Sequence, residues 1–248
     1  KGRLVRRCRR MAEAEEKPAY QRVSLHDLTL QRHESQAKPL QPLGRLCLVG
    51  GPHPSIGSWH EKAVRTVTKA ADPKDQNAQL TGLLLVVQTG WIHLVEGSTP
   101  SLSAYLSLLR AEEQTGGAVR TVKVASCMDD VPRRTFSRWV NSKIDVARNN
   151  YMEVDDSTLP KLIADTVIGF IQLGKAVGAS AVDQASRKLS DWRNSSFSDH
   201  MPSNERVQQL LDLEELPSLA EFIQTFDDVT DVTLGSDAVW PAEPPLIF

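Results

Sequence analysis

The alternation of apolar and polar positions is clearest between Leu80 and Arg110, and its first half predicts a β-hairpin. Leu80–Val87 is an apolar run of strand length that ends in two β-branched residues. Gln88–Gly90 is a short connection containing glycine, as hairpins require. Trp91–Val95 returns as a second strand, which we expect Glu96-Gly97 to end.

The second half of this stretch predicts a helix. Thr99 is a suitable N-cap, and Pro100 is favoured as the first helical residue. The following apolar residues recur at helical spacing and form one stripe: Leu102, Tyr105, Leu106 and Leu109. We expect this helix to end near Arg110, with a loop at residues 112–117.

The flanking segments extend this pattern into an α+β fold. Arg45–Val49 predicts a strand, and Ser58 predicts the start of a helix that ends at Asp72-Pro73. A further strand should reach Cys127, and residues 133–146 should hold a final short strand. Strand, helix, strand, strand, helix, strand is the order of a ferredoxin-like sheet with both helices on one face.

The rest of the chain predicts extensions around this sheet. Residues 1–42 lack a sustained period, residues 43–146 form the α+β domain, and residues 147–248 form a helical and extended C-terminal region. The first predicted helix of that region carries one apolar stripe: Leu159, Leu162, Ile163, Val167, Ile168 and Ile171. Two short helices follow, around residues 207–214 and after Pro217. The proline-rich end is predicted to bind a groove or a partner through Trp240, Leu246, Ile247 and Phe248.

Composition and charge exclude few classes of protein but show an uneven charge distribution. The 248 residues have a net charge of −2. Residues 1–10 contain six basic residues and no acid, whereas the segment from Glu205 to Asp237 contains nine acids and one arginine. A basic end and an acidic end can each bind a partner of opposite charge, can bind each other, or can both be simply solvated. Lys1 is not a normal translation start, which leaves open whether Met11 is the initiator.

No motif in the chain predicts an enzyme, a metal centre or a membrane span. The three cysteines are scattered, the six histidines lack paired ligand spacing, and no apolar run reaches about 18 residues. Neither a phosphate-binding loop nor a nucleophile motif is present. We therefore expect no catalytic residues, no metal and no cofactor.

Two sets of residues remain as candidates for binding. His93 should face away from Ile92 and Leu94, either towards a pocket as a ligand or acid–base group, or as a histidine satisfied within the sheet. A second set is basic and aromatic and suits a protein contact better than a nucleic acid, because no aromatic RNA-binding strand motif accompanies it: Arg133, Arg134, Phe136, Arg138 and Trp139.

Three segments resemble the BLUF family of blue-light flavin sensors. Thr81-Gly82-Leu83-Leu84-Leu85 and Ile92-His93-Leu94-Val95-Glu96-Gly97 match its T-G and E-G strands, and Arg134–Trp139 resembles its R-F-x-x-W segment. The resemblance implies a flavin held between the two helices. Its functional residues are replaced here, however: Leu48 stands for the tyrosine, Asp75 for the asparagine and His93 for the glutamine.

The chain is more similar to the testis-expressed protein 47 family, whose BLUF-like domains also have histidine at the glutamine position. This resemblance implies a non-catalytic structural component of a motile cilium or flagellum, built into the axoneme in the cytoplasm and cytoskeleton. Its partners would be other axonemal proteins, with neither nucleic acid nor membrane bound. The alternative is a regulatory domain that binds a flavin or nucleotide, with His93 facing the pocket.

Overall fold

The computed structural model describes residues 28, 31–32, 41–144, 158–178, 189 and 200–227. The chain divides into two compact units, residues 1–40 and 41–248. The three described residues of the first unit are exposed. The predicted binding residues Trp240, Leu246, Ile247 and Phe248 lie outside the described residues, as do most of the predicted N-terminal segment and the ends of the predicted C-terminal region.

Five strands and five helices make up the described part of the second unit. In chain order they are β1 Leu43–Gly50, α1 Ile56–Ala70, β2 Thr81–Val86, β3 Trp91–Ser98, α2 Thr99–Gln114, β4 Val122–Met128, β5 Trp139–Lys143, α3 Leu159–Gly178, α4 Asn204–Asp212 and α5 Leu219–Asp227. The sheet has the order β4-β1-β3-β2-β5, with β5 parallel to β2 and the other neighbours antiparallel. The predicted α+β, ferredoxin-like fold class is confirmed.

Helices cover both faces of this sheet. The strand alternation sends Ile92 and Leu94 to the core formed with α3 and α4, and Trp91 and Val95 to the core formed with α1, α2 and α5. The prediction that α1 and α2 share one face is therefore confirmed. Because both faces are buried, β1 and β3 are buried at every position, which explains why their sequences read as nearly continuous apolar runs.

Several predicted boundaries of helices and strands were wrong by a few residues. Helix α1 begins at Ile56 rather than after Ser58, whose hydroxyl instead donates to the carbonyl of Ser55. Strand β3 continues to Ser98, because β1 offers paired partners beyond the expected end. Helix α2 extends to Gln114 through the segment predicted as a loop, since Ala and Glu are strong helix formers.

The apolar face of α3 also differs from its predicted stripe. Leu162 and Val167 of the predicted stripe are buried, but Ile168 is 51% exposed, and the buried face also carries Phe170, Leu173 and Val177. Phe170, Leu173 and Val177 follow one another at three- and four-residue steps, which is the spacing of one helical face. The short helices predicted after residue 200 are confirmed as α4 and α5.

A buried carboxylate joins three distant segments of the fold. Glu96 of β3 has no solvent exposure, and its Oε1 accepts from Arg45 Nε of β1 at 2.8 Å. The backbone N–H groups of Thr135 and Phe136 donate to the same carboxylate at 3.0 and 3.2 Å. Such a pair is stable in the interior only when its remaining lone pairs are also satisfied. Here the loop before β5 satisfies them.

Arg134 ties the same loop to β2. Its guanidinium donates to the hydroxyl of Thr81 at 2.8 Å and to the carbonyl of Asn77 at 2.9 Å. Next to Thr81, a Cβ on Gly82 would lie 2.1 Å from the carbonyl oxygen of Leu94, and the φ of Gly82 is +152°. Only glycine fits that close approach between β2 and β3. The T-G and E-G motifs therefore build the framework of the sheet.

Replacing Glu96 with glutamine should destabilise the protein by about 3 kcal/mol, because Arg45 then remains buried without its anionic partner. Chemical denaturation of both proteins measures the difference. Glu61→Gln is the matched control: this residue pairs with Arg65 on the surface of α1, where both side chains are largely exposed, and we expect a change within about 0.5 kcal/mol. Equal effects of the two substitutions would contradict the central role of Glu96.

Candidate functional site

His93 lies at the centre of the sheet on the face covered by α1 and α2. In the strand register it is opposite Leu48 of β1 and Leu84 of β2. Its side chain has no solvent exposure. The prediction that it faces away from Ile92 and Leu94 is confirmed, and the structure places it beside Leu48, another replaced position of the resemblance.

His93 belongs to a continuous chain of hydrogen bonds. The indole Nε1–H of Trp139 donates to His93 Nε2 at 2.9 Å. On the other side of the ring, His93 Nδ1 lies 2.9 Å from the hydroxyl of Tyr105 on α2. That hydroxyl in turn lies 2.5 Å from Nδ1 of His60 on α1. We call these four residues the histidine–tyrosine chain.

The donor and acceptor roles in this chain follow from one fixed donor. An indole nitrogen can only donate, so Nε2 of His93 accepts and the neutral ring carries its proton on Nδ1. His93 Nδ1–H then donates to the oxygen of Tyr105, which leaves the hydroxyl hydrogen of Tyr105 for His60 Nδ1. His60 must therefore carry its proton on Nε2. The contacts thus assign one tautomer to each histidine.

Burial keeps all the titratable members of the chain neutral. It lowers the pKa of His93 to about 3 from the ordinary value of 6.5. It lowers the pKa of His60 well below the same value, and the nearby His93 lowers it further. Burial also raises the pKa of the Tyr105 hydroxyl well above its ordinary value. Near neutral pH, the histidine–tyrosine chain therefore carries no charge.

The histidine–tyrosine chain ends at His60, inside the protein. His60 Nε2 is buried and has no hydrogen-bond partner among the described residues. The His60 ring packs edge-to-face against Trp91, with 4.5 Å between the ring centroids, and both side chains have no solvent exposure. His93, with its pKa lowered to about 3 by burial, is also a weak base at neutral pH. The arrangement suits packing and orientation better than proton transfer to a substrate.

A flavin does not fit beside His93. The space between α1 and α2 at this level is filled by His60 and Tyr105, and both ring nitrogens of His93 already have partners. Leu48 is also fully buried. Asp75 lies in the turn after α1, where its carboxylate accepts from the backbone N–H of Asn77 at 2.8 Å. The three replaced positions therefore do not line one common pocket.

A groove does lie further along the two helices. It has a volume of about 440 Å³ and is lined by the C-terminal end of α1 and the N-terminal part of α2, including Val67, Ala70, Ala104 and Leu108. Its charged lining residues, Asp72 and Asp75, are both acids, and no basic residue is among the described residues that line it. This charge disfavours the phosphate of a flavin nucleotide or another nucleotide.

The described residues include neither a metal site nor a membrane-spanning helix. Within the described ranges, no group of three or more histidine, cysteine or acidic side chains is arranged to hold a metal ion. The helices described by the structure include none that is both long and apolar enough to cross a membrane.

The predicted basic and aromatic patch is divided between the surface and the interior. Arg133 is exposed and Arg138 is half-buried, whereas Arg134 donates to Thr81 and Asn77 and Trp139 donates to His93. Phe136 is in the core. Binding of a partner through Arg133, Arg134, Arg138 and Trp139 stays a prediction, with Arg134 and Trp139 already engaged within the domain.

Sequence reasoning singled out His93 but missed His60 and Tyr105 as its companions. Both lie on the buried faces of their helices: His60 is four residues after Ile56, and Tyr105 is three residues after Leu102. Their helical spacing therefore signalled that each points to the sheet. What the spacing did not show is that both meet His93 at the same level.

Comparison with known proteins identifies the family. The family model described as testis-expressed protein 47 matches residues 42–228, which span the whole sheet and all five helices. The chain belongs to the testis-expressed protein 47 family. The family expected from the T-G-L-L-L and I-H-L-V-E motifs is thereby confirmed.

Solved structures similar to this member of the testis-expressed protein 47 family include BLUF proteins. "BlrP1 BLUF" is 18% identical, with a TM-score of 0.31 over 42% of this chain and 65% of that chain. "BlrB - a BLUF protein, dark state structure" is 13% identical, with a TM-score of 0.31 over 42% and 74%. A bacterial light-regulated adenylyl cyclase is 15% identical, with a TM-score of 0.32 over 62% and 42%.

Acid should destabilise this protein through its buried histidines. Between pH 6.5 and about 3, an unfolded His93 binds a proton that the native state excludes, so stability is fully present above pH 6.5 and falls as the pH decreases. The slope is roughly 1 kcal/mol per pH unit for each such histidine. Denaturation curves between pH 7 and pH 4 should show a smaller slope for His93→Gln; identical slopes would contradict this account.

Replacing Tyr105 with phenylalanine should destabilise the protein by about 1–3 kcal/mol. The substitution keeps the ring but leaves Nδ1 of His93 and Nδ1 of His60 without their shared partner. Thermal unfolding measures the loss. Ser107→Ala, on the exposed side of the same helix, is the control and should change stability by less than about 0.5 kcal/mol; a neutral Tyr105→Phe would show that the hydrogen bonds contribute nothing.

Proposed function

We propose that the protein is a non-enzymatic structural component of a motile cilium or flagellum. In this proposal its degenerate BLUF-like domain serves as a protein-interaction module within the axoneme. The observation that supports it is that the histidine–tyrosine chain is buried and that both ring nitrogens of His93 are already hydrogen-bonded within it. Where the resemblance implies a signalling glutamine facing a flavin, this chain has a histidine whose two nitrogens are bound to Trp139 and Tyr105.

The chemistry of that position supports a role without catalysis. A substrate would have to reach a group with no solvent exposure, and a base would have to act with a pKa near 3. General acid–base catalysis works best with a pKa near the operating pH. What His93, Tyr105 and His60 supply instead is rigidity, because their buried hydrogen bonds favour one packing of α1 and α2 on the sheet.

The cellular assignment is supported by the family and by the charge distribution. The family is named for expression in the testis, a tissue whose cells build flagella. The chain also carries a basic segment at residues 1–10 and an excess of acids after Glu205, a pattern that suits contacts with several partners of opposite charge. Binding to other axonemal proteins, and not to nucleic acid or membrane, is part of the proposal.

The regulatory alternative, in which the domain binds a flavin or a nucleotide, has less support. The groove between α1 and α2 does not include His93, His60 or Tyr105 in its lining, and its charged lining residues are acids. A phosphorylated ligand would therefore meet repulsion there. We propose that the domain needs no cofactor.

Fractionation of motile cilia tests this function. The full chain with an epitope tag, expressed in cells that build motile cilia, should remain with the axonemes after the membrane is removed by detergent. A tagged cytosolic protein of similar size is the control and should be extracted. Complete release of the tagged chain with the detergent fraction would contradict a structural role.

The absorption spectrum of the purified protein tests the alternative separately. We expect no visible flavin absorption from the full chain, even after incubation with free flavin mononucleotide and gel filtration. A stoichiometric yellow chromophore would overturn the proposal in favour of a ligand-regulated domain.

A further inference from the structure

A second groove lies between α2 and α5, away from the histidine–tyrosine chain. It has a volume of about 180 Å³. Its walls and floor are mostly apolar: Leu46, Leu102, Leu106, Phe222, Ile223 and Phe226. A volume of this size admits one or two apolar side chains and is too small for a typical cofactor.

Phe226 is the feature that calls for an explanation. It is 68% exposed, although it packs against Phe222 with 4.6 Å between ring centroids. The two rings lie one helical turn apart on the same face of α5. An exposed aromatic side chain next to an apolar groove is typical of a protein-binding hot spot.

The walls of the groove are fixed before any partner binds. Helix α5 is held against the edge of the sheet, because Val124 N–H donates to the carbonyl of Pro217 at 3.0 Å. Ser218 and Glu221 exchange hydrogen bonds in a capping box that fixes the first turn of α5. A preformed groove binds with a smaller loss of conformational freedom.

The charged residues around the groove are mostly acidic, although Lys123 lies near Glu221. Asp129 is among its lining residues, and α5 carries Glu221 and Asp227. Residues 207–248 contain nine carboxylates and no lysine or arginine. Another segment of this part of the chain would meet repulsion at the groove, whereas a basic partner would be attracted.

We propose that the groove between α2 and α5 binds a basic amphipathic helix of a partner protein. Two apolar side chains on one face of that helix, three or four residues apart, would enter the groove beside Phe226. Lysine or arginine side chains on the flanks would lie near Asp129 and the acids of α5. This is the helix-in-groove mode of recognition. The inference rests on the proposed function, since it names the chemistry of one partner in the assembly.

Peptide binding to the full chain tests the proposal directly. The probe is a fluorescent peptide of about 18 residues, built from leucine at helical spacing and lysine elsewhere. A second peptide with glutamate in place of lysine, and a third with the first composition in scrambled order, separate charge and amphipathic spacing. We expect the leucine–lysine peptide to bind at least about tenfold more tightly than either control.

Substitutions then locate the binding. Phe226→Ser should weaken binding of the leucine–lysine peptide by at least about tenfold, and Ser103→Trp should do the same by filling the groove. Ile168→Ser is the matched control, because Ile168 is 51% exposed on α3, outside this groove. It removes a similar apolar contact and should leave affinity unchanged. Circular dichroism melts verify that each variant is folded.

A charge pair completes the design. Asp129→Asn should weaken binding about threefold and reduce its salt dependence, whereas Glu214→Gln, which removes an exposed charge that does not line the groove, should not. Equal losses for Phe226→Ser and Ile168→Ser, or equal binding of the lysine and glutamate peptides, would overturn the proposal.

Three further outcomes distinguish this inference from its alternatives. If the native chain sediments as a dimer and Phe226→Ser as a monomer, the occupant is a second copy and the proposal is wrong. Axonemal retention without peptide binding would remove this inference alone. Peptide binding without axonemal retention would remove the proposed function and leave the groove as a basic-helix site elsewhere in the cell.

Discussion

The buried pairing of Glu96 with Arg45 is the constraint on which the rest of the sheet depends. A carboxylate with no solvent exposure must find several donors, and here they come from β1 and from the backbone just before β5. The requirement fixes where the loop at residues 133–136 lies. It thereby brings Trp139 to the start of β5, from which its indole reaches His93.

The same framework explains what the motif residues of this chain do in the fold. Thr81, Gly82 and Glu96 are motif residues of the resemblance, and all act within the structure: they bind Arg134, allow the close approach of β2 to β3, and hold Arg45. Each of these residues therefore has a role in the framework that requires no ligand. At His93 the replacement is integrated into the core through Tyr105 and Trp139.

Much of the fold was readable from local patterns, and the parts that were not have physical causes. The hairpin at residues 88–90, the stripe of α2 and the order of the elements depend on spacing and turn residues, so they were predicted. The ends of β3 and α2 were not, because pairing with β1 and the helix propensity of residues 111–114 override the local stop signals. The apolar stripe assigned to α3 included Ile168, since hydrophobicity alone does not show which face meets the sheet.

The site was only half readable for a similar reason. Alternation within β3 gave the direction of His93, but its partners come from α1, α2 and β5, which are separated from it by 33, 12 and 46 residues. Sequence spacing within one element cannot report such meetings. The inward role of Arg134 was missed likewise, because a basic run followed by aromatics looks like a surface patch until the buried Glu96 beside it is known.

The most direct test of a closed histidine–tyrosine chain is the nitrogen-15 spectrum of the histidine side chains, recorded from pH 8 to pH 4.5. The account predicts that His93 stays neutral with its proton on Nδ1, that His60 stays neutral with its proton on Nε2, and that neither changes over this range. If the His93 signals titrated near pH 6.5, or showed an average of the two tautomers, the site would be open to solvent and the structural interpretation of His93 would be wrong.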